Sequence, residues 1–145
     1  MRTSVVRNAG GRAATILAAG ASALLLWAGS AAAAAPAIGV DPTSGLSSGQ
    51  QVTVTGSGFS AGAEVFVGQC DSAGEVCNFV DALPVTADGD GNLYVGLVVR
   101  SAFDGSDWET GQPAGPVSCT ASTPCTVFAG NLSERSDLVQ ISFTE

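Results

Sequence analysis

Apolar and polar positions alternate in four stretches of the chain. In QVTVTG (Gln51–Gly56), Val52 and Val54 share one face and threonines take the other. EVFVGQ (Glu64–Gln69) sets Val65 and Val67 together. NLYVGLVVR (Asn92–Arg100) aligns Leu93, Val95, Leu97 and Val99, and LVQISF (Leu138–Phe143) aligns Val139, Ile141 and Phe143. Successive side chains of a strand point to opposite faces, so a period of two predicts strands with one face on a core. Between them lie PTSG, SSGQ, GSGFSAG, SAGE, ADGDGN, DGSD, GQPAGP and AGN, each read as a turn. Glycine accepts positive φ there, and Asp, Asn and Ser close such turns with local hydrogen bonds. Short strands punctuated this way predict an all-β fold, an immunoglobulin-like antiparallel sandwich. The Cys…Trp…Cys pattern of antibody domains is absent.

The first residues follow another pattern. Arg2, Arg7 and Arg12 precede an apolar run from Ala14 to Ala31, which ends in the alanines Ala31 to Ala35. This is the layout of a secretory signal peptide, with small residues for cleavage after Ala33. A retained membrane anchor is the rival, because no charge lies between Arg12 and Asp41. The short, Gly- and Ser-interrupted apolar heart and the following Pro36 favour the leader. The expectation is a leader over 1–33 and one secreted, extracellular domain over 34–145.

Losing the leader sharpens the charge. All 13 Asp and Glu follow Pro36, opposed only by Arg100 and Arg135, for a net charge of about −11. Such a domain repels nucleic acid and anionic membranes, and no basic patch for phosphate can be built. No partner subunit is indicated, and a monomer is expected.

Four cysteines on the oxidising side of a membrane predict disulfides. With no His and no CxxC pair, neither a tetrahedral zinc site nor a thioredoxin-like motif can be assembled. The spacings of Cys70 to Cys77 and Cys119 to Cys125 favour two local clips, and a long-range pin between the two pairs is the alternative. The lack of His and Lys also removes Ser-His-Asp, Cys-His and Ser-Lys nucleophile arrangements. Asp104, Asp107 and Glu109 could in principle supply paired carboxylates, but their Gly-rich surroundings predict a solvated surface. No catalytic residues are assigned. Asp88-Gly89-Asp90-Gly91-Asn92 imitates the start of a calcium loop. The pattern then requires Gly and Glu where Leu93 and Val99 stand, so a hairpin turn is expected and no metal. Asn131-Leu132-Ser133 is a glycosylation sequon. Most aromatics should be core, whereas Phe79, Phe103 and Trp108 flank the first clip or the DGSD turn. They could line a cleft or form a satellite cluster beneath loops.

In order along the chain stand AAP, VDPTSGLSSGQQVTVTGSGFSAG, VGQC, CN, VTADGDGN, LVVRSAFDG, VSCT, Cys125 and ISF. Together they resemble the neocarzinostatin/macromomycin family of enediyne-binding apoproteins across nearly all of Ala34 to Phe143. The resemblance implies a seven-stranded sandwich with a small β-ribbon lobe, and a cleft between them that holds an enediyne-type chromophore without a covalent bond. It implies Cys70–Cys77 and Cys119–Cys125 as the disulfides, the first on the cleft floor. It implies an antibiotic chromoprotein that stores and releases its ligand, with DNA cleaved only by the released chromophore. By similarity the ligand-binding residues are Gln69, Cys70, Cys77, Phe103 and Trp108, with Ser72 and Gly130 at cleft positions the family fills differently. Ala82 falls where a stacking phenylalanine is expected, and Phe79 or Leu83 are the candidates to compensate. These departures motivate an alternative: a diverged member without a chromophore, acting as an extracellular binding or interaction module. A filled or polar cleft would favour that alternative, and an open apolar one the carrier.

Overall fold

The computed structural model describes residues 35–144; the expected leader and its cleavage point lie outside them. Among the described residues ten strands follow one another with no helix between them. They are β1 (Ala37–Asp41), β2 (Gln50–Ser57), β3 (Glu64–Cys70), β4 (Val76–Cys77), β5 (Leu83–Thr86), β6 (Leu93–Val99), β7 (Ala102–Asp107), β8 (Pro113–Ser118), β9 (Cys125–Gly130) and β10 (Val139–Ile141). One antiparallel sheet runs β1-β2-β6. The other runs β10-β9-β3-β4-β7-β8, with β5 also paired to β3.

The alternating stretches become the facing layers of the core. Val52, Val54, Leu93, Leu97 and Val99 from the first sheet meet Val65, Val67, Val127, Ala129 and Ile141 from the second. Burying such side chains contributes roughly 1.5–3 kcal/mol each. Leu46 and Phe143, joined by a parallel bridge, close one end, and both are buried.

The decisive feature is a fork at β3. Its first part, Glu64–Val67, pairs with β5 and belongs to the sandwich. Its last residue, Cys70, pairs with Cys77 of β4, and β4 continues through β7 to β8. The sandwich is thus the three strands β1-β2-β6 packed on the four strands β10-β9-β3-β5. The ribbon β4-β7-β8 leaves it as a separate small lobe, as the resemblance implies.

Two expected turns are strands instead. DGSD lies inside β7 and most of GQPAGP inside β8, which pair with a register shift at Gly105/Ser106. Here glycine serves close approach: Gly105 is buried, and a side chain on it would collide with Val76 Cγ1 of the adjacent strand. ADGDGN is a turn but joins no hairpin, since β5 and β6 belong to different sheets. Asp88 closes it by accepting hydrogen bonds from the amides of Asp90 (2.8 Å) and Asn92 (2.9 Å). Those amides hold its carboxyl below the ordinary range. Both disulfides are local: Cys70–Cys77 and Cys119–Cys125.

Candidate ligand cleft between the sandwich and the ribbon lobe

The register of β3 and β9 sets which sandwich residues face the ribbon lobe. Phe66 pairs with Gly130, Gly68 with Phe128 and Cys70 with Thr126. Cross-strand partners share a face, so these residues point away from the core that Val65, Val67, Val127 and Ala129 build. Yet every residue of β9 is buried. A strand buried on both faces requires a second cover, which the ribbon lobe and the loop after β9 supply.

That outer layer forms its own cluster. Cys70, Cys77 and Phe128 are buried together, with Trp108 packed on them. Trp108 follows β7, its amide donating to Glu75 O (2.9 Å). Asp107 holds the turn behind it, accepting from the amides of Glu109 (2.9 Å) and Thr110 (2.8 Å) and from Thr110 Oγ1 (3.1 Å). Those bonds, led by Thr110, keep the Asp107 carboxyl below the usual range. The Trp108 ring meets Phe128 edge to face, centroids 4.5 Å apart at 78°. Phe79 stacks more loosely at 6.1 Å and 29°.

The guanidinium of Arg135 is set into this aromatic corner, 4.5 Å from the Trp108 ring centre and 4.8 Å from that of Phe128. Its Nη2 donates to Gly74 O (2.9 Å). No carboxylate pairs with it: among the described residues the salt bridge is Arg100–Asp81. Burial moves its pKa below the usual arginine value, although the group stays charged. Arg135 lines a cavity of about 210 Å³ together with Gly74, Glu75, Asp107, Trp108 and Glu109. It also lines a second cavity, of about 350 Å³, that reaches Leu132, Ser133 and Glu134. Trp108, Glu109 and Arg135 belong to both walls.

The expected site residues divide. Cys70, Cys77, Phe79 and Trp108 come together in the cluster, and of these Trp108 lines the two cavities. Gln69 is buried on the core side of β3, where Nε2 donates to Arg100 O (2.7 Å) and Oε1 accepts from Arg100 N (2.8 Å). It ties β3 to the connection between β6 and β7. Leu83 and Phe103 pack against the main core. Phe103 also borders a shallow groove with Val117 and Pro116, away from Trp108. Ser72 is exposed in the turn between β3 and β4. Gly130 lies beneath the next loop, where a Cβ would come 2.7 Å from Glu134 O and 2.8 Å from Arg135 Cα. It is the floor under a backbone, and no side chain fits there.

Two residues of the corner carry no expectation from the sequence. In CTVFAG strand parity sets Phe128 on the face opposite Val127 and Ala129, but the apolar run gives no alternation that would single it out. It occupies the space above Gly68, where a Cβ would lie 3.2 Å from Phe128 Cε1 and 3.3 Å from Ala82 Cβ. Small residues at 68 and 82 therefore make room for it. Arg135 had no sequence signal beyond being one of two arginines after the leader.

At the Asp88 turn the amides of Asp90 and Asn92 both take up carboxylate oxygen Oδ1. No group of three His, Cys, Asp or Glu placed for a metal occurs among the described residues.

Comparison with known proteins agrees with this architecture. Residues 38–144 match the model of the Neocarzinostatin family. The chain is 43% identical over 104 residues to the antitumor antibiotic C-1027 apoprotein of Streptomyces globisporus, covering 70% of this chain and 71% of that protein. Macromomycin of Streptomyces macromomyceticus is 35% identical over 112 residues, covering 75% and 77%. The solved structure of macromomycin superposes with a TM-score of 0.69 at 34% identity, over 76% of this chain and all of that one. That of apokedarcidin gives 0.57 at 30% identity, over 76% and 99%. The chain belongs to the Neocarzinostatin family.

Proposed function

We propose that this protein is a secreted, monomeric antibiotic apoprotein that holds an enediyne-type chromophore non-covalently in the Trp108 cleft. The observation that carries the reading is the aromatic corner of Trp108 and Phe128 beside Cys70–Cys77, with Phe79 at its edge, in a chain of this family. Ring stacking and exclusion of water hold a polycyclic ligand there without a catalytic residue. The disulfide fixes the floor, so the cleft keeps its shape when empty. A domain with about 13 acids and two arginines does not approach DNA itself, so DNA is reached only through the released chromophore. The leader over 1–33 delivers the domain to the exterior.

A second reading has its own observation. The floor above Gly68 is filled by the fully buried Phe128, and a charged side chain lines both remaining cavities. That favours a diverged member that carries no chromophore and binds something else outside the cell. Extraction of the protein secreted by its native host, kept cold and dark, separates the two. A stoichiometric aromatic or enediyne-derived species by mass spectrometry supports the carrier; a clean extract overturns it in favour of the binding module.

A further inference from the structure

The two arginines of the described chain are held in opposite ways. Arg100 meets Asp81 through both Nε (2.7 Å) and Nη2 (3.2 Å), and Asn78 Nδ2 steadies the same carboxylate at 2.8 Å. Arg135 has a single protein acceptor for its guanidinium, the carbonyl of Gly74, and otherwise rests on two rings. Its backbone, by contrast, is fixed. Arg135 bridges Gly130, and the next amide, Ser136 N, donates to Ala129 O (2.8 Å). Asn131 ties the loop, accepting from Ser133 N and Glu134 N and donating to Glu64 O. A long side chain on a fixed base, held at its tip by one hydrogen bond and two ring faces, can swing without unfolding anything.

What it covers is the surface a flat ligand would want. The guanidinium is itself planar, lies 4.5 Å from the Trp108 ring centre and, with Trp108 and Glu109, lines both cavities of about 210 and 350 Å³. Withdrawing it from the rings would free space bordering both, on the scale of the ~300–1,000 Å³ typical of small-molecule sites. We propose that Arg135 is a displaceable plug of the ligand cleft, and that the ligand is a planar, uncharged or cationic aromatic which takes its place on Trp108 and Phe128. The proposal rests on the cleft reading above and deepens it by naming the ligand's charge class.

The exchange is nearly balanced by its chemistry. The cation leaves two ring contacts and one carbonyl, and regains full hydration. The incoming ring takes the same faces and adds apolar burial that a charged group cannot give. The charge preference follows from the remaining walls. Once Arg135 swings out, the charged groups lining the first cavity are Glu75, Asp107 and Glu109, and those lining the second are Glu109 and Glu134. An anionic aromatic meets only like charge there.

The test uses 2-naphthol as a neutral probe and 2-naphthoate as its anionic counterpart, titrated against the secreted protein. The expected result is that Arg135→Ala binds 2-naphthol at least tenfold tighter than the unmodified protein, and 2-naphthoate at least tenfold more weakly than 2-naphthol. A second measurement needs no variant in the binding step. The Nε–Hε resonance of Arg135, recognised by its loss in Arg135→Lys, should lie upfield under the two rings. Saturating 2-naphthol should return it to the position of a solvated arginine. Equal binding by Arg135→Ala and the unmodified protein, or an Arg135 resonance that keeps its ring shift at saturation, overturns the plug and leaves the cleft standing. Tighter binding of 2-naphthoate that is lost in Arg135→Ala makes Arg135 an anion-binding residue and also overturns it. No response of either protein to either probe removes the aromatic cleft together with the plug. Exchange with 2-naphthol in a protein whose native extract is clean keeps the plug and discards the carrier.

Discussion

Cys119–Cys125 and Cys70–Cys77 close loops of nearly equal length, with sequence separations of 6 and 7, among entirely different neighbours. The first pair is part of the main core with Val127, Ile141 and Phe143, and Gln69 Nε2 reaches Cys119 Sγ at 3.2 Å. The second belongs to the small cluster of Phe128 and Trp108. Around the first clip, polar groups are satisfied: Gln69 answers both backbone groups of Arg100, and Arg100 answers Asp81. Around the second, a guanidinium without a carboxylate rests on aromatic faces beside open space. The same covalent device thus completes a core in one region and frames an unfinished surface in the other. In this chain the candidate site is where the fold leaves contacts for something else to make.

The contrast is broken most strongly by truncating one large side chain on each side. Leu97→Ala in the core and Phe128→Ala in the cleft should each cost about 3–5 kcal/mol in urea unfolding, because both side chains are fully buried. Only Phe128→Ala should alter native Trp108 emission, since it removes the edge-to-face partner at 4.5 Å. An equal emission change in Leu97→Ala would mean that the two clusters are one packing unit. Next in size come the clips. Replacing either cysteine pair by alanine should lower stability by roughly 2–3 kcal/mol, as loops of this length predict. The Cys70/Cys77 variant should in addition weaken 2-naphthol binding, while the Cys119/Cys125 variant should leave the affinity of the remaining folded protein within about twofold. Equal losses of affinity would show that the floor disulfide has no special part in the cleft.

A smaller effect separates Gln69 from the site that family resemblance gives it. Gln69→Leu strands the amide and carbonyl of Arg100 and should cost about 1–3 kcal/mol. Because its side chain lies on the core face of β3, 2-naphthol titration should be unchanged. Weakened binding at full folding would return Gln69 to the cleft.

Legibility in the sequence followed the same division. Strands with one dry and one wet face announce themselves by alternation, and β2, β3, β6 and β10 were readable for that reason. The ribbon strands β7 and β8 were not. Gly105, Gly115, Pro113 and Pro116 have the composition of turns, and only contact with the rest of the lobe makes them strands. The candidate cleft is half legible. Cys70, Cys77 and Trp108 follow from the family resemblance, while the aromatics flanking the clip and the DGSD turn pick out Phe79 and Trp108 together with Phe103. Gln69 and Phe103 face the core because strand parity, once the register is known, sends them there, whereas Gly130 lies on the outer face beneath the next loop. Phe128 escaped notice because a strand buried on both faces reads as uniformly apolar. Arg135 escaped because its place depends on a loop folding back over Gly130, a contact between residues that no spacing encodes.

The smallest expected effect concerns acid, and it tests the two arginines against each other. Asp81 is held below its ordinary pKa, first by the hydrogen bonds from Arg100 and then by Asn78 and the arginine's charge, against an opposing effect of burial. A carboxyl depressed in the folded state stabilises the fold above its unfolded value of about 4, and that contribution is lost as the pH falls through the lower folded value. Asp81→Asn should therefore flatten part of the decline in urea midpoint between about pH 5 and pH 2. The change should be modest, because the pair is partly exposed and solvent screens it. Asp88 and Asp107, depressed by their own backbone partners, keep a residual slope in every variant. Arg135→Gln should leave the acid limb parallel to that of the unmodified protein, since no carboxylate depends on that guanidinium. A flattened limb in Arg135→Gln would mean that Glu75, Glu109 or Glu134 pairs with Arg135 in solution, and the cleft would then hold a bound pair where a free cation on two rings is expected.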